Sequence, residues 1–169
     1  MTPVRAAVPA DAYEVACLHV RSWRSAFPGL IAQDYLDSLT PEALADRYTF
    51  GRVGLRMPST LVAVEGSAIR GFATTGLCRE SDLPNFGELM ALYVDPAYLG
   101  AGVGISLMTA ARERLRRLGV DGAVLWALEG NTEARRFYEC GGWRPDGACR
   151  PAVFGNDTRR LVRYRIEPV

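Results

Sequence analysis

From Glu88 to Met108 the chain reads "ELMALYVDPAYLGAGVGISLM". A short apolar run ends at a proline, and Gly100, Gly102 and Gly104 alternate with other residues. A helix-like pattern then places Ile105, Met108, Ala111, Leu115 and Leu118 on one face. This stretch restricts the fold more than any other, because a buried strand, a glycine loop and a helix follow one another with no room for anything else. In that arrangement several backbone N–H groups lie at the positive end of a helix dipole and stabilise an anion without a charged side chain. Glycine lets a bulky phosphate approach the main chain closely. The natural guest of such a loop is a pyrophosphate.

The surrounding sequence supplies further elements. "DAYEVACLHVRSWRSAF" spaces Ala12, Ala16, His19, Trp23 and Phe27 by three and four residues, which predicts a helix ending near Pro28-Gly29. Thr40 followed by Pro41 predicts the start of a second helix running to Tyr48. "TLVAVEGSAIRGFATTG" reads as two strands turning near Glu65 to Ala68, followed by the polar loop "CRESDLPNFG" and a strand from Glu88 to Val94. The helix after the glycines stops at Gly119, and its terminal arginines suit the negative end of its dipole. "GAVLWAL" reads as a strand covered on both faces. Asn131 or Thr132 caps a short helix stopped by Gly141-Gly142, and Val162, Tyr164 and Ile166 alternate with Arg163 and Arg165 in a half-exposed strand near the sheet's edge. Together these predict a mixed α/β sheet flanked by helices. No repeat or linker divides the 169 residues, so a single domain spanning 1–169 is expected.

Several function classes are excluded or disfavoured. All 20 basic residues are arginine, so neither a P-loop lysine nor a Schiff-base lysine for pyridoxal phosphate exists. A formal net charge of +1 leaves no footprint for nucleic acid or an anionic membrane surface. No run approaches the roughly 20 apolar residues of a membrane span, and the N-terminus lacks an apolar leader, which places the protein in the cytoplasm. Cys17, Cys78, Cys140 and Cys149 form no C-x-x-C pair and read as free thiols. His19 is the single histidine, so no metal site is expected, and a catalytic triad would have to use that residue.

The glycine loop leaves three readings: a tight turn without a ligand, a dinucleotide-binding fingerprint, and an acyl-coenzyme A site. The dinucleotide fingerprint needs G-x-G-x-x-G, but Ile105 holds its last place, although Glu129 sits where a ribose-binding acid is expected. For the third reading, "LYVDPAYLGAGVGISLM" and "GNTEARRFYECGGWRP" resemble the two signatures of the GCN5-related N-acetyltransferase (GNAT) family. The family's Q/R-x-x-G-x-G/A loop corresponds to Leu99, Gly100, Ala101, Gly102, Val103 and Gly104, with Leu99 departing from the usual Arg or Gln. Its later signature is matched by Asn131, Ala134, Phe137, Tyr138, Gly142 and Trp143.

The resemblance implies a mostly antiparallel twisted sheet whose central strands, Leu92–Val94 and Val124–Leu128, splay apart. Acetyl-coenzyme A would add its pantetheine to the backbone of Leu92, Tyr93 and Val94 as an extra strand. Its pyrophosphate would rest on the N–H groups of Leu99 to Gly104, and Asn131 would position the chain near the thioester. Tyr138 is the expected general acid and Glu88 the expected general base, with backbone N–H groups of its strand as oxyanion donors. Trp23, Phe27 and Tyr35 are candidate walls for the acceptor. The implied activity is direct acetyl transfer to a primary amine of a small molecule, peptide or protein, with a homodimer left open. A catalytically silent acyl-coenzyme A-binding module is the alternative of a different class.

Overall fold

In chain order the elements are β1 (Val4–Ala6), α1 (Ala12–Ala26), α2 (Gln33–Ser38), α3 (Pro41–Ala45), β2 (Ser59–Glu65), β3 (Ala68–Leu77), β4 (Phe86–Val94), α4 (Val103–Arg117), β5 (Gly122–Leu128), α5 (Thr132–Cys140), β6 (Arg144–Phe154) and β7 (Asp157–Ile166). The computed structural model describes residues 1–54 and 57–169. Among these the strands form one sheet ordered β1-β2-β3-β4-β5-β7-β6. Only β4 and β5 run parallel among the described residues. A doubly wound dinucleotide fold needs a mostly parallel sheet, so that reading of the glycine loop is overturned. Among the described residues no helix is long and apolar enough to cross a membrane.

The helices cover both faces. On one, the row Val103, Leu107, Ala111 and Leu115 turns α4 onto the sheet against Ala73, Leu89, Ala123 and Leu125. Leu107 and Leu115 are fully buried, each worth about 1.5–3 kcal/mol relative to exposure. The helix begins at Val103, two residues earlier than its apolar spacing suggests. The buried stripe is therefore the i, i+4 row from Val103, and Ile105 is left 60% exposed. On the other face α1 buries Val15 and Leu18 against Val62 and Phe72. Its end carries Trp23 and Phe27 toward Leu128, which is joined there by Leu36 of α2.

Other sequence expectations shift in detail. The hairpin turn falls at Gly66-Ser67, between the paired residues Glu65 and Ala68. The second helix is shorter than expected, Pro41–Ala45, with the Thr40 hydroxyl accepting from the Ala43 N–H at 3.3 Å. The tail strand β7 is near the sheet's edge, as expected, one place in from it. It lies between β5 and β6, and Arg163 is 6% exposed because it pairs with Asp82 and Asp146. The edge strand is β6, whose Pro145 and Pro151 are tolerated there because an edge leaves one row of N–H groups unused.

Candidate active site

The β4–β5 ladder is brief: Phe86 pairs with Gly122, Gly87 with Ala123 and Glu88 with Val124, and pairing then stops. β4 stays on β3 as far as Val94, and β5 stays on β7 as far as Leu128. The two strands therefore diverge beyond Glu88, leaving one backbone edge of β4 without a strand partner. Just past that point the β3–β4 register slips, with Thr75 opposite Leu89 and Thr74 opposite Ala91. Met90 is the bulged residue, a device that re-aims backbone and side chains beside functional sites.

A cavity of about 620 Å³ fills the divergence. Its lining includes Leu92, Tyr93, Val94, Leu99, Gly100, Gly102, Gly104, Asn131, Tyr138 and Glu88, so most of the expected site residues share one cavity. Ala101 and Val103 are not among its lining residues: Val103 is buried in the α4 core, and Ala101 faces a neighbouring groove with Gly102 and Met1.

The glycine loop is held by its approach. Asp95 ends β4, accepts from the Ala97 N–H at 3.1 Å and pairs with Arg21 of α1 at 2.9 Å. The Tyr98 ring lies under the Arg70 guanidinium, 3.9 Å from its centroid. Gly100 and Gly102 adopt φ of +78° and +86°, and a side chain at either would meet open space. Their glycine identity therefore answers backbone conformation and leaves the surface bare. Gly102 is the N-cap of α4, so its loop ends on the free N–H groups of that helix. Leu99 is 64% exposed at the rim and makes no polar contact.

Asn131 caps α5, its Oδ1 accepting from the Ala134 N–H at 3.3 Å. This helix places Phe137 and Tyr138 on the cavity wall. The Tyr138 hydroxyl makes no hydrogen bond to protein among the described residues, and burial, followed by the charge of Tyr93, pushes its pKa well above the ordinary phenol value. Burial likewise raises Tyr93 to about 12. Glu88 is 5% exposed, with Arg79 Nη2 3.9 Å from Oε2. Burial pushes its carboxyl above the usual carboxylate range, partly offset by Arg79 and then Arg150.

Of the aromatic residues expected around an acceptor, Trp23 and Phe27 line the cavity. Tyr35 does not; its ring stacks edge-on against Phe154, which does. His19 belongs to an aromatic cluster with Trp23, Phe72 and Tyr93, and its Nδ1 lies 2.9 Å from the Tyr48 hydroxyl. Burial, with Arg47 nearby, lowers its pKa to about 4, so it is a neutral packing residue and serves no triad. Glu129 is held by Arg160 at 3.2 Å.

Arg79, Trp126, Arg150, Phe154 and Leu161 also line the cavity and were not singled out from the sequence. The signal for three of them was a hairpin. Phe154 and Asp157 flank the dipeptide Gly155-Asn156, a recognised two-residue turn that places Arg150, Phe154 and Leu161 on neighbouring strands. The two prolines of β6 obscured it.

Comparison with known proteins agrees with this geometry. The family model described as the acetyltransferase (GNAT) family matches residues 20–142. An uncharacterized N-acetyltransferase of Bacillus subtilis strain 168, YuaI, is 30% identical over 170 residues, covering 100% of this chain and 91% of YuaI. The PaiA N-acetyltransferase of Thermoplasma acidophilum, solved in complex with coenzyme A, superposes with a TM-score of 0.75 at 18% identity over 98% of this chain and 99% of that one. YncA of Salmonella typhimurium, solved with its cofactor acetyl-CoA, gives a TM-score of 0.71 at 21% identity, covering 98% of this chain and 93% of its own. The strand divergence, the glycine loop at the head of α4 and the match over residues 20–142 lead to one conclusion: the chain belongs to the GNAT family of acetyltransferases, enzymes that draw on acetyl-coenzyme A.

Proposed function

We propose that this protein transfers the acetyl group directly to the primary amine of an acceptor bound beside Glu88, with both substrates present at once. The observation that carries this reading is that Glu88 and Tyr138 line one cavity at the divergence of β4 and β5. The residues present fit acetyl-coenzyme A. An unpaired strand edge suits a pantetheine arm with its two amides, and the bare loop at Gly100 and Gly102 suits a pyrophosphate. Leu92, Tyr93 and Val94 would hold the arm, the N–H groups of Leu99 to Gly104 the phosphates, and Asn131 the region of the thioester. When bound, the cofactor supplies an activated acetyl thioester.

The chain's own groups manage the protons. An ammonium has no lone pair, so the acceptor must lose a proton before it attacks, and the raised pKa of Glu88 makes its carboxylate a better base than an exposed one. Tyr138 keeps its proton across neutral pH and can share or deliver it where negative charge grows on sulfur. The bulge leaves Met90 out of the β3–β4 register beside Glu88, where its backbone N–H would serve charge growing on oxygen. Among the described residues the lining contains no Cys, Ser, Thr or His, which favours direct transfer over a covalent acyl-enzyme.

The test joins binding to turnover. Acetyl-coenzyme A in excess should raise the melting temperature while NAD does not, and coenzyme A release should follow addition of a suitable amine from a panel. Stabilisation without release from any amine would leave a binding module.

A further inference from the structure

The end of the cavity beyond Glu88 has a distinct chemistry. Glu88, Trp126, Arg150, Phe154 and Leu161 lie on the α1 side of the sheet, with Arg79 above them in the loop between β3 and β4. Glu88 is the sole carboxylate there among the described lining residues; the cavity's other one, Glu133, opens α5 beside Asn131. Two guanidiniums stand near Glu88.

Neither guanidinium is saturated. Arg79 donates no hydrogen bond among the described residues, and its approach to Glu88, 3.9 Å, is too long to be one. Arg150 gives a single N–H to Glu80 at 3.0 Å, and its carbon lies 4.2 Å from the centroid of the Trp126 ring. That stacking orients the planar fork while leaving most of its five donors unused. The loop carrying Arg79 is pinned to the sheet through Asp82, which accepts from Arg163 at 3.0 and 3.2 Å. The buried indole N–H of Trp126 has no acceptor among the described residues. Donors with unused N–H groups therefore stand around the one lining carboxylate at this end, and Phe27, Ile31, Phe154 and Leu161 close the rest with apolar surface.

Resting on the reading of Glu88 as the group that receives the amine, we infer that the acceptor is an α-amino acid with an apolar side chain. Its ammonium sits at Glu88, its carboxylate at Arg79 and Arg150, and its side chain against Phe27, Phe154 and Leu161. The short separation between Glu88 and Arg79 matches a molecule whose opposite charges are one carbon apart. A polyamine would meet two like charges and a single carboxylate. A peptide N-terminus would present an amide where the guanidiniums call for an anion.

The experiment compares L-leucine with leucinamide and isoamylamine, and L-phenylalanine with phenethylamine, at saturating acetyl-coenzyme A. Kcat/KM should favour each amino acid by roughly 10- to 100-fold, the range expected of charge-assisted hydrogen bonds. In Arg79→Gln and Arg150→Gln that ratio should fall toward unity. The ratio is the readout because any general effect of the lost charges on Glu88 acts on all acceptors. Calorimetry of L-leucine against protein loaded with coenzyme A provides a second reading, with binding expected for wild type and weakened in both variants. Equal or better use of the amide or amine, or a ratio unchanged in both variants, overturns the inference. If no amine is acetylated, the enzyme reading fails by itself. Calorimetry then decides the ligand: L-leucine binding more tightly than isoamylamine supports the inference, and equal binding overturns it.

Discussion

Replacing Tyr138 with phenylalanine removes one oxygen that makes no hydrogen bond among the described residues, so its effects on folding and on catalysis should separate. Because the hydroxyl has no hydrogen-bond partner among the described residues, the substitution leaves no orphan donor or acceptor behind. Stability should change by no more than about 0.5 kcal/mol. For a domain of this size, about 1 kcal/mol corresponds to 2–4 °C, so the melting temperature should move by less than about 2 °C. Positioned acid catalysis is worth about 10²- to 10⁴-fold, or roughly 2.7–5.4 kcal/mol of barrier, and that loss should fall on kcat with the dissociation constant of coenzyme A nearly unchanged. Tyr164 is the matched control. Its ring lies 6.3 Å from that of Tyr138, but its hydroxyl accepts from Arg135 at 2.8 Å and donates to Glu139 at 2.8 Å, away from the cavity. Tyr164→Phe should therefore lower the melting temperature by several degrees, a loss of about 1.5 kcal/mol, without a selective loss in kcat. The assays are thermal denaturation, calorimetry with coenzyme A, and steady-state release of coenzyme A with an acceptor from the amine panel. Full activity in Tyr138→Phe, or a loss of binding equal to the loss of rate, would refute its role as proton donor.

Glu88→Gln should lower kcat/KM by about 10²- to 10⁴-fold and abolish the acidic limb of its pH profile, which in wild type should fall above the usual carboxylate range because burial raises this group. The same shift has a stability sign. A carboxyl whose folded pKa is raised stabilises the fold below its unfolded pKa and loses that contribution as pH rises through the folded value, so the variant should be relatively more stable near pH 7 than near pH 4, as thermal denaturation at the two pH values would show. Gly102→Val should abolish coenzyme A binding by calorimetry while the protein stays folded. Gly119→Val, at φ +73° with equally open surroundings but outside the cavity, should carry a similar strain of about 1–2 kcal/mol and bind normally.

The sequence by itself determined the elements that rest on local rules. Thr40 before Pro41, Gly66 between two β-rich runs and the alternating glycines before α4 each state a backbone preference that needs no distant partner. The resemblance of its two signatures to a known family also brought out Glu88, Asn131 and Tyr138 as expected site residues, and all three line the same cavity. What only the tertiary structure decided is what non-adjacent strands bring together. The pairing of β4 and β5 stops after Glu88, although both strands continue as apolar runs, because each keeps its other neighbour and twists away. Tail strand β7 lies inside the sheet because β6, concealed by two prolines, covers its edge. Arg79 and Arg150 stand 71 positions apart in the sequence, in a polar loop and an edge strand; the Gly155-Asn156 turn could reveal the strand that carries Arg150, but nothing local brings either residue to Glu88. The fold of the intervening chain places both guanidiniums beside Glu88, since charge and shape in a cleft belong to the surfaces that meet there.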